Sequence, residues 1–263
     1  MKNIKRVWII LLLFLFVGCS QKVDSKKILT NVAKNMAEVE NVHYIIDGKV
    51  TMSANGLNME MDFDMNIWAK NIKNLLEGEC KIIMALSALG MKEEMSIYYK
   101  DGKTYLEEND LKMVTDSFFD MNEEMISGIN SSYTAETEKM LDQLFILFDV
   151  KGKKVQDGTE IVMKINKAIL KEMNEELTKS IEMQGRIREI SIVVRVNNDE
   201  IIESVNLNVV VEVEQQGTST VLVINLNSVM EILEDNYEIE YPDFSEFVEQ
   251  VIPDIEEIET DQK

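Results

Sequence analysis

Strict alternation of apolar and polar residues is the feature that most constrains the fold of this chain. Between Leu57 and Ile67 every second residue is apolar, and the residues between them are Asn, Glu or Asp. A period of two places the apolar side chains on one face of a β-strand and the polar ones on the other. Because the pattern recurs along the chain, the sequence predicts an antiparallel sheet with one dry and one solvated face.

Turn signals separate the alternating segments. Asn55-Gly56 and Asp101-Gly102 each lie between two such runs, and both dipeptides favour the two-residue type I′ turn of a β-hairpin. Besides the run at 57–67, strands are predicted at 42–52, 80–86, 95–99, 103–105, 158–165, 190–196, 205–213 and 222–226. The sequence therefore predicts a meander of about ten strands.

Segments with helical spacing precede and interrupt the meander. Asp24 or Ser25 can cap the first helix, a helical stretch is predicted from 116 to 149, and Asn166 can cap a later helix. The apolar positions of these helices are Ile28, Leu29, Val32, Ala33, Met36 and Val39; Met140, Leu141, Leu144, Phe145 and Phe148; and Ile169, Leu170, Met173 and Leu177. Strands together with helices make the predicted fold class α+β.

The N-terminus predicts the compartment. Three basic residues precede eleven uninterrupted apolar residues at 7–17, which fits a signal peptide over 1–18, whereas a membrane-spanning helix needs about 20 residues. Phe16-Val17-Gly18-Cys19 resembles the bacterial lipobox, although Phe16 stands where Leu is usual. The resemblance implies a diacylglyceryl anchor on Cys19, which holds a protein stably on a membrane. The alternative is an ordinary signal peptide with an accidental cysteine.

The rest of the chain is predicted to be one extracytoplasmic domain. Residues 19–25 form a tether to the membrane, and no linker divides residues 26–242. The segment 243–263 is predicted to be a loosely held acidic tail, which either solvates the chain or contacts a basic partner. A monomer is expected.

Charge and composition exclude several classes of function. The net charge is −21, with 48 Asp and Glu against 27 Lys and Arg, so the surface repels nucleic acid. The chain has one His and no P-loop, dinucleotide loop or Gly-x-Ser-x-Gly motif. We therefore expect a non-catalytic protein without a metal site or cofactor.

Three features remain open to a chemical and a structural interpretation. His43 is predicted on the solvated face as a hydrogen-bonded surface residue rather than a ligand. Cys80 is predicted as a small buried residue, with a reactive thiol as the alternative. A row of three carboxylates projects from one strand face at Glu60, Asp62 and Asp64. We expect these carboxylates to form ion pairs with lysines on neighbouring strands, although such a row could also bind calcium.

The order of elements resembles that of the LolA/LppX-like bacterial lipoproteins. The stretch Tyr99-Lys100-Asp101-Gly102-Lys103-Thr104-Tyr105 is similar to the tyrosine-flanked hairpin of their Gram-positive members. The resemblance implies a strongly curved, unclosed β-sheet, a half-barrel whose concave face is covered by about four helices. It also implies carriage of a lipid or another hydrophobic molecule, and it supplies no catalytic residues.

The high number of methionines is the feature of the composition that says most about function. Of 17 methionines, Met59, Met61 and Met65 crowd one predicted strand face, and flexible thioether side chains adapt to apolar ligands of varied shape. The candidate cavity residues are Tyr44, Met59, Met61, Phe63, Met65, Ile82, Met84, Ile97, Leu207 and Val209. A filled core is the alternative, in which case the protein is an envelope interaction protein with an acidic binding surface. The two hypotheses differ in whether the dry face is fully covered.

Overall fold

The alternating segments become strands of a single sheet in the computed structural model, which describes residues 23–73, 78–109, 111–115, 134–180, 184–215 and 218–249. The strands within these residues are β1 (Val42–Ala54), β2 (Leu57–Lys70), β3 (Glu79–Ala88), β4 (Met91–Lys100), β5 (Lys103–Glu108), β6 (Leu111–Thr115), β7 (Phe148–Val155), β8 (Gly158–Ile165), β9 (Gln184–Asn197), β10 (Ile202–Gln215), β11 (Thr218–Ile232) and β12 (Val248–Glu249). The described helices are α1 (Ser25–Met36), α2 (Ala135–Leu147) and α3 (Lys167–Ser180), with a short 3-10 helix at Phe244–Glu246.

The strand order leaves the sheet open. It runs β12-β6-β5-β4-β3-β2-β1-β11-β10-β9-β8-β7, and all neighbours are antiparallel except β12, which pairs in parallel with β6. The chain starts at the centre with β1, proceeds to one edge, and returns from the other edge to place β11 beside β1. The predicted α+β class, with a curved and unclosed antiparallel sheet, is confirmed. The open, curved sheet is one feature that the resemblance to LolA/LppX-like lipoproteins implies.

Backbone conformation confirms the predicted hairpin turns. Both residues of Asn55-Gly56 and of Asp101-Gly102 have positive φ, as a type I′ turn requires. A third turn, Leu89-Gly90, has the same conformation with φ of 53° at Leu89. Leucine pays a steric penalty in this region, so this turn could not be read from residue preference.

The helices begin largely where the sequence predicts. The Asp24 side chain accepts a hydrogen bond from the backbone N–H of Lys27, and Asn166 accepts one from the N–H of Ala168. The prediction of about four helices is wrong for the described residues, which contain three α-helices. The helical stretch predicted to reach 149 ends at Leu147, and Phe148 opens β7; residues 116–133 of that prediction lie outside the described residues.

Both edges of the sheet differ from the prediction. The edge strand β7, the short β6 and the two-residue β12 were not expected, because their sequences lack clean alternation. Three lysines at 151, 153 and 154 mark β7 as an edge, where charge discourages pairing with another chain. The expectation of a loosely held tail is wrong for residues 243–249, since Phe247 is buried and β12 pairs with β6.

Residues 23–25, which were predicted to be part of the tether, pack against the folded domain. Ser25 is buried as the first residue of α1, and Val23 lies against β7. A Cβ added to Gly152 of β7 would lie 2.6 Å from a methyl carbon of Val23 and 2.7 Å from Ser25 Oγ, so this glycine permits close approach. Residues 1–18, Cys19 and the turn predicted around Gly217 lie outside the described residues.

The largest cluster of buried apolar side chains among the described residues lies towards the β7 edge. Leu29 and Val32 of α1 pack on Ile161 of β8 and Val196 of β9, with partly buried side chains from α2 and β7 around them. A smaller cluster around Val42 joins the start of β1 to the end of β11. Among the described residues, no helix combines the length and apolar character needed to cross a membrane.

Candidate hydrophobic-ligand site

Strand register places all ten predicted cavity residues on one face of the sheet. Residues directly opposite each other on antiparallel strands share a face. One row runs from Phe63 through Gly48 and Leu226 to Leu207, and the next from Met61 through Val50 and Ile224 to Val209. Three further rows complete the set: one pairs Met59 with Met52, one joins Met65 to Met84, and one joins Tyr44 through Ile67 and Ile82 to Ile97. We call this surface, defined by these ten residues, the Met face.

The centre of the Met face depends on Gly48. A Cβ at this position would lie 2.7 Å from Leu226 Cδ2 and 3.3 Å from the Phe63 ring, so these two side chains occupy the space above the glycine. Glycine weakens a strand interior and often marks a close approach of this kind. Its absence of a side chain lets β2 and β11 share one continuous apolar surface across β1.

Coverage of the Met face is uneven. Ile97 is 7% exposed, whereas Met59 is 44% and Met61 is 38% exposed. Leu57, Leu86 and Met91, near the same hairpin ends, are also exposed. The described helices pack towards β7–β10 and leave this part of β1–β4 uncovered. In the described residues, Met59 and Met61 therefore belong to an open apolar surface rather than to a cavity enclosed by helices. We call this exposed part of the Met face, near the hairpin ends of β1–β4, the platform.

Tyr44 brings one polar group to the buried end of the Met face. It packs among partly buried residues next to Val42 and Met230. Burial raises the pKa of the Tyr44 phenol, so the group stays neutral at physiological pH. An uncharged hydroxyl beside an apolar surface can orient a ligand without the cost of a buried charge.

His43 lies on the polar face, as predicted, and its contacts are structural. Its Nδ1 is 3.1 Å from Glu231 Oε2 and its Nε2 is 3.3 Å from Asn66 Oδ1. The ring stacks on Trp68 with 4.5 Å between centroids, which leaves the side chain 12% exposed. The prediction of a hydrogen-bonded histidine is confirmed, and the stacking buries it more than a freely solvated residue.

Two of the three carboxylates in the acidic row of β2 are paired with a lysine on the neighbouring strand. Lys49 Nζ lies 2.9 Å from Glu60 Oε2 and 3.4 Å from Asp62 Oδ1. No group of three or more potential metal ligands occurs among the residues that the structure describes. The predicted lysine partner is thus confirmed for Glu60 and Asp62.

Cys80 shares the Met face with Ile82, as its parity predicts, and forms no disulfide. Burial raises the pKa of its thiol to about 11. The thiolate is the reactive form, so only a small fraction of Cys80 is nucleophilic near neutral pH. The described surroundings favour an inert, packed cysteine.

The raised pKa of the buried Cys80 thiol predicts that it reacts slowly with alkylating reagents. In a Cys19→Ala chain, we expect iodoacetamide at pH 8 to modify native Cys80 at least ~100-fold more slowly than the urea-unfolded chain, since burial disfavours the thiolate. Mass spectrometry measures both rates. As a control, Leu89→Cys in a Cys80→Ser background presents a thiol at the exposed hairpin turn and should react rapidly. Equal rates for native and unfolded Cys80 would refute the packed assignment.

The sequence pattern did not predict an aromatic cluster that lies on the polar face of the sheet. Phe244 stacks on Tyr105 with 3.8 Å between ring centroids, and Phe247 meets Tyr105 edge-on at 5.4 Å. Tyr98 and Tyr241 complete the cluster, which we call the C-terminal clasp. The Tyr241 hydroxyl is buried without a hydrogen-bond partner in the described chain, and burial raises its pKa. The clasp fastens the end of the described chain across β4–β6.

Comparisons with known proteins give distant structural likenesses. No family model and no curated protein matches the chain. The crystal structure of LprF from Mycobacterium bovis is 8% identical, with a TM-score of 0.41 over 82% of this chain and 96% of that one. A DUF1329 family protein from Desulfovibrio piger is 11% identical, with a TM-score of 0.24 over 78% of this chain and 93% of that one. The Pseudomonas aeruginosa MucA/MucB complex is 12% identical, with a TM-score of 0.25 over 78% of this chain and 57% of that one.

Proposed function

We propose that this protein is a membrane-anchored, extracytoplasmic lipoprotein that binds a lipid or another hydrophobic molecule on the Met face and performs no chemistry. The observation that carries the proposal is the exposure of Met59 and Met61 on an apolar sheet face, near the hairpin ends of its strands, in the part of the chain that the structure describes. Large apolar patches are uncommon on soluble proteins and mark binding surfaces. The uncovered platform favours this function over an interaction protein with a filled core.

The chemistry of the platform suits a flexible apolar ligand. Methionines at 52, 59, 61, 65 and 84 lie on adjacent strands, and their unbranched, polarizable side chains can adjust to the shape of an acyl chain. The edge of the platform is charged, since Glu93 lies opposite Leu86 on the same face. An apolar surface with few polar groups selects by shape and leaves the ligand chemically unchanged.

Anchoring through Cys19 is the second part of the proposal and yields its own prediction. Cells fed an alkyne-tagged fatty acid should label the wild-type protein, and Cys19→Ala should abolish that label because no other cysteine stands at a lipobox. Gel fluorescence after click chemistry measures the signal. Cys80→Ala serves as the matched control and should retain full label. Persistence of the label in Cys19→Ala would contradict the anchor.

A fluorescent fatty acid tests binding on the Met face directly. Met61→Asp places a charge on the uncovered platform and should weaken probe binding at least ~10-fold, since desolvating a carboxylate against an acyl chain is costly. Met140→Asp, at an exposed methionine of α2, makes the same change away from the sheet and should leave affinity unchanged. Equal probe affinity in wild type and Met61→Asp would overturn the assignment of the ligand to this face.

A further inference from the structure

A polar trough of about 640 Å³ crosses the face of the sheet opposite the Met face. Its lining comes from β1, β2, β3, β9, β10 and β11, which are six neighbouring strands at the centre of the sheet. At about 4.8 Å per strand the trough is ~24 Å long. Its volume falls within the range of about 300–1,000 Å³ that small-molecule sites occupy.

Four asparagines form a square in this trough. Asn206 lies opposite Asn227, and Asn208 lies opposite Asn225, on the paired strands β10 and β11. Asparagine is disfavoured in strands, whereas valine is favoured. Val210, Val223 and Val229 occupy the same face of these strands directly beside the square. The two asparagine pairs therefore interrupt a stretch of strand-favouring valines on β10 and β11, and local departures of this kind are expected at functional sites.

The square has unused hydrogen-bonding capacity. Asn208 Nδ2 donates to Asn225 Oδ1 at 2.7 Å. Asn206 and Asn227 make no side-chain hydrogen bond with another residue that the structure describes. An amide offers two donor hydrogens and an acceptor oxygen, so these side chains can bind adjacent hydroxyl groups from both sides.

The charged residues that line the trough indicate which charge a ligand should carry. Asp47 and Asp64 lie directly opposite each other on β1 and β2, an arrangement that disfavours the sheet. The neighbouring Lys49 is paired with Glu60 and Asp62. Within the described part of the chain, Asp47 and Asp64 form no ion pair. A positive group on a ligand would relieve this repulsion, and a negative one would increase it.

We propose that the trough binds an oligosaccharide, with preference for one that carries amino groups. Amides supply the hydrogen bonds to sugar hydroxyls, the carboxylate pair attracts an ammonium group, and the length of the trough accommodates several sugar rings in an extended chain. This site lies on the opposite side of the sheet from the Met face, so it stands or falls independently of hydrophobic-ligand binding.

Calorimetric titration of the full chain tests the proposal. The full chain, with its proposed lipid anchor, is kept in solution by a polyoxyethylene detergent. Alkyl glycoside detergents are avoided because they would themselves present sugar to the trough. The probes are the tetramers of glucosamine, N-acetylglucosamine and galacturonic acid, which are cationic, neutral and anionic. We expect the glucosamine tetramer to bind about tenfold more tightly than its acetylated counterpart, and the anionic tetramer not to bind. Asp47→Asn should remove most of the difference between the first two.

Valine substitutions separate recognition from folding. Asn206→Val and Asn227→Val should each weaken glucosamine tetramer binding about tenfold or more, while the unfolding midpoint stays the same or rises because valine suits a strand. Ser204→Val, on the same face of β10 but outside the trough, should leave affinity unchanged. The wild type and the three valine variants should bind a fluorescent fatty acid equally. The proposal fails if the wild type binds none of the three tetramers, or if Ser204→Val weakens binding as much as the asparagine substitutions.

Discussion

Phe247→Ala should lower the free energy of unfolding by about 3 kcal/mol, at the lower end of the range for removing a buried aromatic side chain. Phe247 is 8% exposed and meets the rings of Tyr98 and Tyr105, so its loss opens the centre of the C-terminal clasp. The clasp holds a terminal segment, and release of that segment limits how large the loss becomes. Urea unfolding followed by circular dichroism measures it.

The adjacent residue supplies the control for the clasp. Val248 is 68% exposed although its backbone pairs with Met113 of β6, so Val248→Ala should cost less than about 0.5 kcal/mol. If the two substitutions destabilise the chain equally, or Phe247→Ala costs less than Val248→Ala, residues 243–249 do not stabilise the sheet through their aromatic rings.

Ile161→Ala should lower the free energy of unfolding by about 2–5 kcal/mol, because truncation leaves a cavity in a close-packed core. Ile161 is fully buried beneath α1. Met61→Ala, at an uncovered position on the same sheet face, should cost about 1 kcal/mol or less in the ligand-free chain, since fewer protein contacts are lost. Denaturant unfolding of both variants compares the covered and uncovered parts of the sheet directly. Losses of equal size would mean that Met61 is packed as tightly as Ile161.

Local pattern predicted the faces of the strands well. A shift of one residue would move every side chain of β2 to the other face, so strict alternation from Leu57 to Ile67 fixed the side on which Met59 and Met61 lie. The Asn55-Gly56 turn then set the pairing of β1 with β2. These features depend only on neighbouring residues, and sequence therefore carries them.

Features that depend on distant contacts could not be predicted. The strand β7 contains Lys151-Gly152-Lys153-Lys154, which resembles a loop, and it becomes a strand because β8 pairs with it. Phe244 and Phe247 are three residues apart, but only one short 3-10 turn forms there, and the two rings pack on Tyr98 and Tyr105, which are far away in sequence. Coverage of the Met face depends likewise on strand order, which places the helices towards β7–β10 and away from β2.

Native mass spectrometry of the chain purified without added lipid tests the central claim most directly. A Cys19→Ala chain, which lacks the proposed lipidation site, should carry one apolar molecule, and the Met59→Asp/Met61→Asp double variant should be recovered without it. Met140→Asp should retain the bound molecule, because α2 lies away from the platform. A wild-type chain free of any bound molecule, together with failure to bind the fluorescent fatty acid, would contradict the account and leave the Met face as a surface for another protein.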